Sequence, residues 1–491
     1  MKNKILFIVP PLSINNKVKF ANHQAPLGFL YMANVLEKNG FEVKIIDCPL
    51  YYTKRRKIDN DTDKVGLDNY ELRTKIKLFN PDIVGVSCSY SMFEEDSFRV
   101  INLVKEINKE IFTVVGGAHA SSNPGLVLRN RNIDLAVIGE GEITMLEIAK
   151  NFMKGKDMKH IKGTALYLKE LIVNPKRELI ENLDDYEPAW HLINLDDYFK
   201  HPDNSAATIR KPSMTIITSR GCVGNCAFCS VQTIWGRKWR AISANKVVDQ
   251  IEYLYSKGIK HFRINDDNLT IDKTRIMAIC NEIVKRKLDI KWDTPSGVAM
   301  WALDEEVLSA MKRSGYYRIT FGIESGSYDT LKYIGKNINL DMAKEIIRCS
   351  NKLGLWTASF FIIGFPHETK EDIQKTADFI VNSEINFPFI FIAQPYSGTR
   401  MYDDFKNSGL MDEGIIGLSN STVTKYRTDN FSPEELNKIR GKIYLRFYFK
   451  KVYSYLNPFK LYKEFISKIR TYEDFKYAGR MISAIVTNIL Y

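Results

Sequence analysis

Along residues 4–154, short apolar runs alternate with segments whose apolar residues recur at three- and four-residue steps. The runs predict strands at Lys4–Val9, Glu42–Asp47, Asp82–Ser87, Phe112–Val115 and Asp134–Ile138, and the stepped segments predict helices at Leu27–Lys38, Ser97–Glu110 and Ile143–Met153. Strands separated by helices make a parallel sheet covered on both faces. The expected domain over residues 1–154 is therefore α/β, doubly wound and Rossmann-like, with its ligand at the carboxyl ends of the strands. Between about 155 and 212 the regularity stops. Thr164–Leu168 and Leu171–Val173 read as a short hairpin, and the acidic, Pro-containing stretch from Glu181 to Trp190 reads as a linker.

Alternation resumes over 213–430. Strands are predicted at Met214–Ser219, His261–Asn265, Ile290–Thr294, Tyr317–Ile323, Ala358–Ile363 and Phe389–Ala393. Helices are predicted at Ala244–Ser256, Lys273–Arg286, Glu305–Ser314, Leu340–Leu353 and Lys370–Ser383. Six strand–helix units make a partial (β/α)6 barrel of the TIM type, which keeps its chemistry on the loops after its strands. Residues 431–491 form a helical, basic tail rich in Lys, Tyr and Phe.

Composition narrows the class. At 491 residues the chain has room for about three domains. Its 45% hydrophobic and 26% charged residues exclude a disordered or collagen-like protein. The net charge of +12 suits anionic ligands, while no recognisable nucleic-acid module accompanies it. Seven cysteines, three of them within eight residues, argue against a disulfide framework and for a reducing compartment. Met1 to Leu12 imitates a signal peptide, but its apolar core is short and broken by Pro10 and Pro11. It reads as a buried first strand, and no apolar stretch approaches a membrane span. The expected location is cytoplasmic.

The chemistry concentrates at Cys222-Val-Gly-Asn-Cys226-Ala-Phe-Cys229, directly after a predicted strand. Three thiolates on one short loop can hold three irons of a cubane cluster and leave the fourth open for a chelating ligand. A structural zinc ion wants a fourth ligand, which no Cys or His supplies at suitable spacing. Three inert cysteines would leave their clustering on a turn unexplained. Motifs at later strand ends fall in barrel order: Asn265-Asp266-Asp267-Asn268, Gly322-Ile323-Glu324-Ser325-Gly326, Gly364-Phe-Pro366-His-Glu368, and Gln394-Pro395-Tyr396. Asp266 and Asp267 offer carboxylates to an ammonium group, although an exposed, helix-capping turn is an equal reading of that segment.

CxxxCxxC with an aromatic before its last cysteine, on the first loop of a partial barrel, resembles the radical S-adenosylmethionine superfamily. The resemblance implies Cys222, Cys226 and Cys229 as ligands of a 4Fe-4S cluster whose open iron is chelated by the methionine moiety of S-adenosylmethionine. It also implies Phe228 near the adenine, Glu324 and Ser325 at the ribose or amino group, and Gly364 and Gln394 along the same ligand. A reductant such as ferredoxin or flavodoxin comes with that chemistry.

In the N-terminal domain no G-x-G-x-x-G follows the first strand. Instead strands end at Asp47, at Ser87-Cys88-Ser89, at Gly116-Gly117-Ala118-His119 and at Gly139-Glu140-Gly141-Glu142. The glycines let backbone lie against a large ring, although tight βα turns would also use them. The pattern is similar to the cobalamin-binding domain's D-x-H-x-x-G, S-x-L and GG, with Asp47, Ser87 and Gly116-Gly117 matching. Pro49 stands in the axial histidine's place, Tyr52 in the glycine's and Ser89 in the leucine's. His119 reads as a loop histidine in preference to a cobalt ligand, and His23, ahead of the first helix, as a capping residue or as one that faces the cofactor.

The resemblance spans residues 3–430 and points to the methyltransferase branch joining these two domains, a layout shared with the anaerobic magnesium-protoporphyrin cyclase. It implies methylation of an unactivated carbon in a small-molecule or lipid-like substrate, with cyclisation or rearrangement, or a non-catalytic cobalamin sensor, as alternatives. Ten basic residues against one acid between Leu436 and Arg470, interleaved with aromatics, would suit an anionic membrane surface or a solvated helical face packed on the barrel.

Overall fold

A computed structural model describes residues 3–16, 23–201, 208–411 and 425–490, with side chains described as far as Ser483. Parts of the expected linker (202–207) and of the barrel region's end (412–424) lie outside the described residues. The chain divides into two compact units, one holding most of the residues up to 201 and the other most of those from 208.

In the first unit, strand Lys4–Val9 sends alternate side chains to opposite faces, as a pleated strand must. Ile5 and Phe7 join Phe29, Ala33, Leu36, Met145 and Ile148 on one face. Leu6 and Ile8 join Leu72, Ile76, Ile101 and Val104 on the other. Helices Leu27–Lys38 and Gly141–Met153 therefore cover one side, and Asn69–Phe79 and Glu94–Ile107 the other. The sheet has seven strands, in the order Leu171–Val173, Thr164–Tyr167, Leu135–Val137, Phe112–Gly116, Ile83–Ser87, Lys4–Val9, Glu42–Asp47. The last five named are mutually parallel. Chain direction across the sheet reverses between Lys4–Val9 and Ile83–Ser87, so the ligand crevice of such a sheet opens at their carboxyl ends.

The hairpin expected within a linker pairs antiparallel with Leu135–Val137 and forms one edge of this sheet. Helix Asn69–Phe79, absent from the sequence reading, carries a capping box of Asp68 with Glu71. A small antiparallel sheet of Leu12–Asn15, Thr62–Val65 and Arg55–Lys57 was also not anticipated. The third helix starts at Glu94, three residues before its expected beginning, on an acidic first turn of Glu94, Glu95 and Asp96 that suits the helix dipole.

The second unit holds six parallel strands, Ser213–Ile216, His261–Ile264, Lys291–Asp293, Tyr316–Glu324, Trp356–Ile363 and Phe387–Ile392, each beside its predecessor in the chain. Five helices, Ala244–Ser256, Lys273–Lys285, Glu305–Arg313, Leu340–Lys352 and Lys370–Asn382, form the outer layer of this partial barrel. Helix Pro433–Tyr455, capped by Ser432 with Glu435, buries Leu436, Ile443 and Phe447. The tail is pinned by Lys468, which is buried and donates to Asn351 Oδ1, Asn386 Oδ1 and the Leu355 carbonyl at 2.5–2.8 Å.

Candidate functional site

The cysteine loop leaves the first barrel strand held by its backbone. Asp266, at the end of the second strand, accepts the Thr218 amide at 2.6 Å, the Thr218 hydroxyl at 2.7 Å and the Ser219 hydroxyl at 2.6 Å. Asp267 accepts the Gly221 amide at 2.8 Å. Farther along, Gln232 Nε2 donates to the Gly224 carbonyl at 2.8 Å. The Ala227 amide donates to the Ile334 carbonyl at 2.8 Å, and the Ala227 carbonyl accepts from the Met401 amide at 3.0 Å. Asp266 is buried, and burial raises its pKa against the pull of those donors. The structure thus employs Asp266 and Asp267 in shaping the loop, and it removes the reading of this segment as an exposed, capping turn. The following helix is capped by Asp272 instead.

Cys222, Cys226 and Cys229 are half-buried and form no disulfide. A Cβ on Gly224 would come within 3.4 Å of Cys222 Sγ and 3.9 Å of Cys226 Sγ, so the glycine keeps the space between two thiols open. Burial pushes the Cys229 thiol up to about 12 and also raises Cys226, where Lys336 partly opposes it. Thiols in such surroundings ionise when a metal binds them. Among the described residues no three His, Cys, Asp or Glu side chains gather into a chelate for one ion. A cubane asks for a different arrangement, three thiolates each on its own iron.

Beside the loop, Lys336 Nζ donates to Glu324 Oε1 at 2.8 Å. Burial pulls the Lys336 ammonium down, yet Glu324 and Cys226 outweigh it and hold its pKa above the usual lysine value. Glu324 has a left-handed backbone, φ 70°, a costly conformation for a residue with a Cβ. Lys336 was missed by the sequence reading. It follows Gly335, whose left-handed φ of 74° ends helix Tyr328–Ile334 and marks a turn at that point.

The remaining predicted residues have defined places. Ser325 Oγ shares a hydrogen bond with Thr376 Oγ1 at 2.8 Å and accepts the Ser327 amide at 3.1 Å. Gly364, φ 85°, gives its amide to Glu368 Oε2 at 2.6 Å, and a Cβ there would stand 2.9 Å from Leu436 Cδ1. Burial raises Glu368 to about 8. Phe228 faces Phe365 with ring centres 6.3 Å apart. Gln394 is buried, with Nε2 3.4 Å from the Ile392 carbonyl.

In the first unit, Asp47 ends its strand buried, with Oδ2 bonded to His23 Nε2 at 2.8 Å and to the Tyr198 hydroxyl at 2.6 Å. His23 therefore partners Asp47 and does not cap the first helix, which has Pro26 at that position and no side-chain cap. His201 and Tyr52 join this group, with ring centres 4.7 Å apart. Ser87 Oγ is 3.2 Å from Ser89 Oγ. Gly117 has φ 122°, and a Cβ there would meet the Cys88 carbonyl at 2.8 Å. Its neighbour Gly116 would place a Cβ 3.6 Å from Val137. Gly139 has φ 80° and open space before it. Glu140 is buried and accepts the Ile180 amide at 2.7 Å, while His119, read from the sequence as a loop histidine, lies on the short helix Ala118–Ser122, bonded to Ser91 and Glu94.

Strand ends carrying Asp47, Ser87 and Gly116-Gly117 thus sit at the carboxyl edge of a doubly wound sheet. Asp47 Oδ1, buried with no hydrogen-bond partner among the described residues, is a polar atom this edge leaves unsatisfied. Both features fit a large polar-rimmed ring such as a corrin.

Residues 16–149 match the model of the B12 binding domain, and residues 216–380 that of the radical SAM superfamily. The chain is 33% identical over 449 residues to an uncharacterized methyltransferase of Pyrococcus horikoshii, covering 91% of this chain and 92% of that protein. It is 32% identical over 422 residues, 79% of each chain, to the cytidylyl-2-hydroxyethylphosphonate methyltransferase of Streptomyces wedmorensis. Its fold is similar to the structure of the radical S-adenosylmethionine methyltransferase TsrM from Kitasatospora setae with cobalamin and a 4Fe-4S cluster bound. That likeness has a TM-score of 0.68 at 18% identity, over 89% of this chain and 85% of that one.

Proposed function

The chain belongs to the radical SAM superfamily, in the branch that carries a B12 binding domain, and we propose that this enzyme methylates an unactivated carbon of a small-molecule or lipid-like substrate. The observation that carries the reading is the loop of Cys222, Cys226 and Cys229, fixed by its own backbone beside the Glu324–Lys336 pair. The 4Fe-4S cluster, S-adenosylmethionine and cobalamin supply the radical and the methyl group that such a carbon requires, because no protein base removes its proton.

The protein's share is placement. Cys222, Cys226 and Cys229 would hold the cluster, with Gly224 leaving it room. Glu324, oriented by Lys336, is placed to accept hydrogen bonds from the amino or ribose groups of S-adenosylmethionine. Asp266 and Asp267 act through the loop and are positioning residues. Asp47, Ser87, Gly116 and Gly117 would line the corrin, and Phe228 with Phe365 would shield one side of the adenosyl site from water. A one-electron reductant such as ferredoxin or flavodoxin completes the system. The same reading places the enzyme in the cytoplasm, with its basic C-terminal helices as the route to a membrane surface.

The test is anaerobic reconstitution with iron, sulfide and cobalamin, then turnover with S-adenosylmethionine carrying a deuterated methyl group. Methyl transfer releases S-adenosylhomocysteine together with 5′-deoxyadenosine, both read by mass spectrometry. Deoxyadenosine alone would replace methylation with cyclisation or rearrangement. In Cys226→Ala both products disappear while cobalamin stays bound; continued cleavage in that variant would refute the cluster assignment.

A further inference from the structure

Helix Pro433–Tyr455 lies along helix Lys370–Asn382, and between them runs a groove of about 420 Å³. Ile373, Ala377 and Ile439 line its floor, and Lys370, Lys438 and Lys442 stand among its polar walls. Stepping along the same helix face at three- and four-residue intervals leads from Lys438 and Lys442 through Arg446 to Phe449, Lys450 and Tyr453. Lys450 bonds to Asn382, the last residue of the neighbouring helix, so beyond that point the face is no longer flanked by it.

There the surface becomes aromatic. Phe449, Tyr453, Leu456, Phe459 and Tyr462 are 63–86% exposed, a concentration of large apolar side chains that soluble surfaces rarely carry. Lys460 and Lys463, both exposed, alternate with the last two on helix Pro458–Glu464. Between Leu436 and Arg470 the only acid, Glu464, is already paired with Lys451. No helix among the described residues is long and apolar enough to cross a membrane.

We propose that this face docks the enzyme on an anionic lipid bilayer, the aromatics entering the headgroup layer and Lys438, Lys442, Lys460 and Lys463 meeting lipid phosphates. Two physical points favour lipid over protein as the occupant. Lysine is depleted in protein interfaces, whereas lysines beside exposed Phe and Leu are what interfacial helices use. A long Lys stem can also lie along apolar surface while its ammonium reaches a phosphate. The inference extends the peripheral placement read above and is independent of the chemistry, since an enzyme that binds no membrane can still methylate.

The experiment is co-sedimentation of the anaerobically reconstituted full chain with phosphatidylcholine vesicles, with and without phosphatidylglycerol, at low and high salt. Binding is expected only with phosphatidylglycerol and should weaken as salt rises. Each cation removed by Lys438→Gln or Lys460→Gln should lower partitioning about fivefold. Phe449→Ser with Phe459→Ser should lower it at both salt concentrations, with the circular dichroism spectrum unchanged. No binding to anionic vesicles, or equal binding by all variants, overturns the proposal. So does a dimer in sedimentation velocity that Phe449→Ser dissociates, which would assign the face to a second copy of the chain.

Discussion

Lys336 Nζ and Glu324 Oε1 meet 2.8 Å apart directly over Gly322, where a Cβ would lie 2.7 Å from the carboxylate oxygen and 2.8 Å from the ammonium. Gly322, the first residue of the motif at this strand end, thus lies against the mobile ends of two long side chains. Gly322→Ala is expected to displace the ends of the pair slightly, and Lys336→Met to leave Glu324 without its cation. Lys336→Met should cost up to about 3 kcal/mol, since breaking a partly desolvated pair strands one charge, and Gly322→Ala should cost less. Both variants should keep full iron and sulfide content, while Lys336→Met should lose at least tenfold in S-adenosylmethionine affinity, measured by equilibrium dialysis, and Gly322→Ala should lose less. Undiminished affinity in Lys336→Met would remove the pair from the site.

Asp266 satisfies three donors on the segment leading into the cysteine loop. Asp266→Ala strands them in a buried place, at a cost of about 3 kcal/mol or more. The expected result is a lower melting temperature together with reduced iron loading. A carboxylate that bound the ammonium group directly would behave otherwise, raising the KM for S-adenosylmethionine while stability and iron stayed as before.

Two glycines of the first unit should respond differently to a methyl group. At Gly117 the added Cβ strikes the Cys88 carbonyl in addition to needing φ 122°, so Gly117→Ala should destabilise the unit by several kcal/mol and abolish cobalamin binding. At Gly139 only the left-handed backbone resists, about 1 kcal/mol, and cobalamin should still bind. Absorbance of the retained corrinoid after gel filtration separates the two.

Glu368 titrates near 8 in the folded chain, raised by burial from an ordinary carboxylate value of 4.5. Its protonated form is the one the fold accommodates. Its contribution to stability is therefore complete below about pH 4.5 and is lost as pH rises through 8, at roughly 1.4 kcal/mol per unit. Glu368→Gln can still accept the Gly364 amide and never ionises. Its urea midpoint should change less between pH 6 and pH 8.5 than that of the parent chain, and should exceed it at the upper end.

Most of this architecture was readable from periodicity because the elements that matter are amphipathic. Helix Leu27–Lys38 and strand Glu42–Asp47 fall on their expected bounds. Helix Asn69–Phe79 escaped because only Leu72, Ile76 and Phe79 of its eleven residues are buried, and its clearest signal was the Asp68–Glu71 box. The short strands Arg55–Lys57 and Thr62–Val65 are too polar to announce themselves. In the site, the cysteines were legible because their chemistry lies in one local spacing. The duties of Asp266 and the partnerships of Asp47 with His23 and Tyr198 were not, since each joins segments far apart in the chain. Lys336 is only twelve residues from Glu324, but a helix and a glycine turn intervene, and no simple period links the two.

The anchoring of Ala227, whose amide and carbonyl are bonded to Ile334 and Met401, has a practical corollary. These contacts, with those of Asp266, Asp267 and Gln232, join the loop to neighbouring protein elements without using the cysteine thiols. Oxygen that strips the iron should bleach the brown colour without collapsing the scaffold, and the same preparation should accept fresh iron and sulfide through repeated cycles of loss and repair.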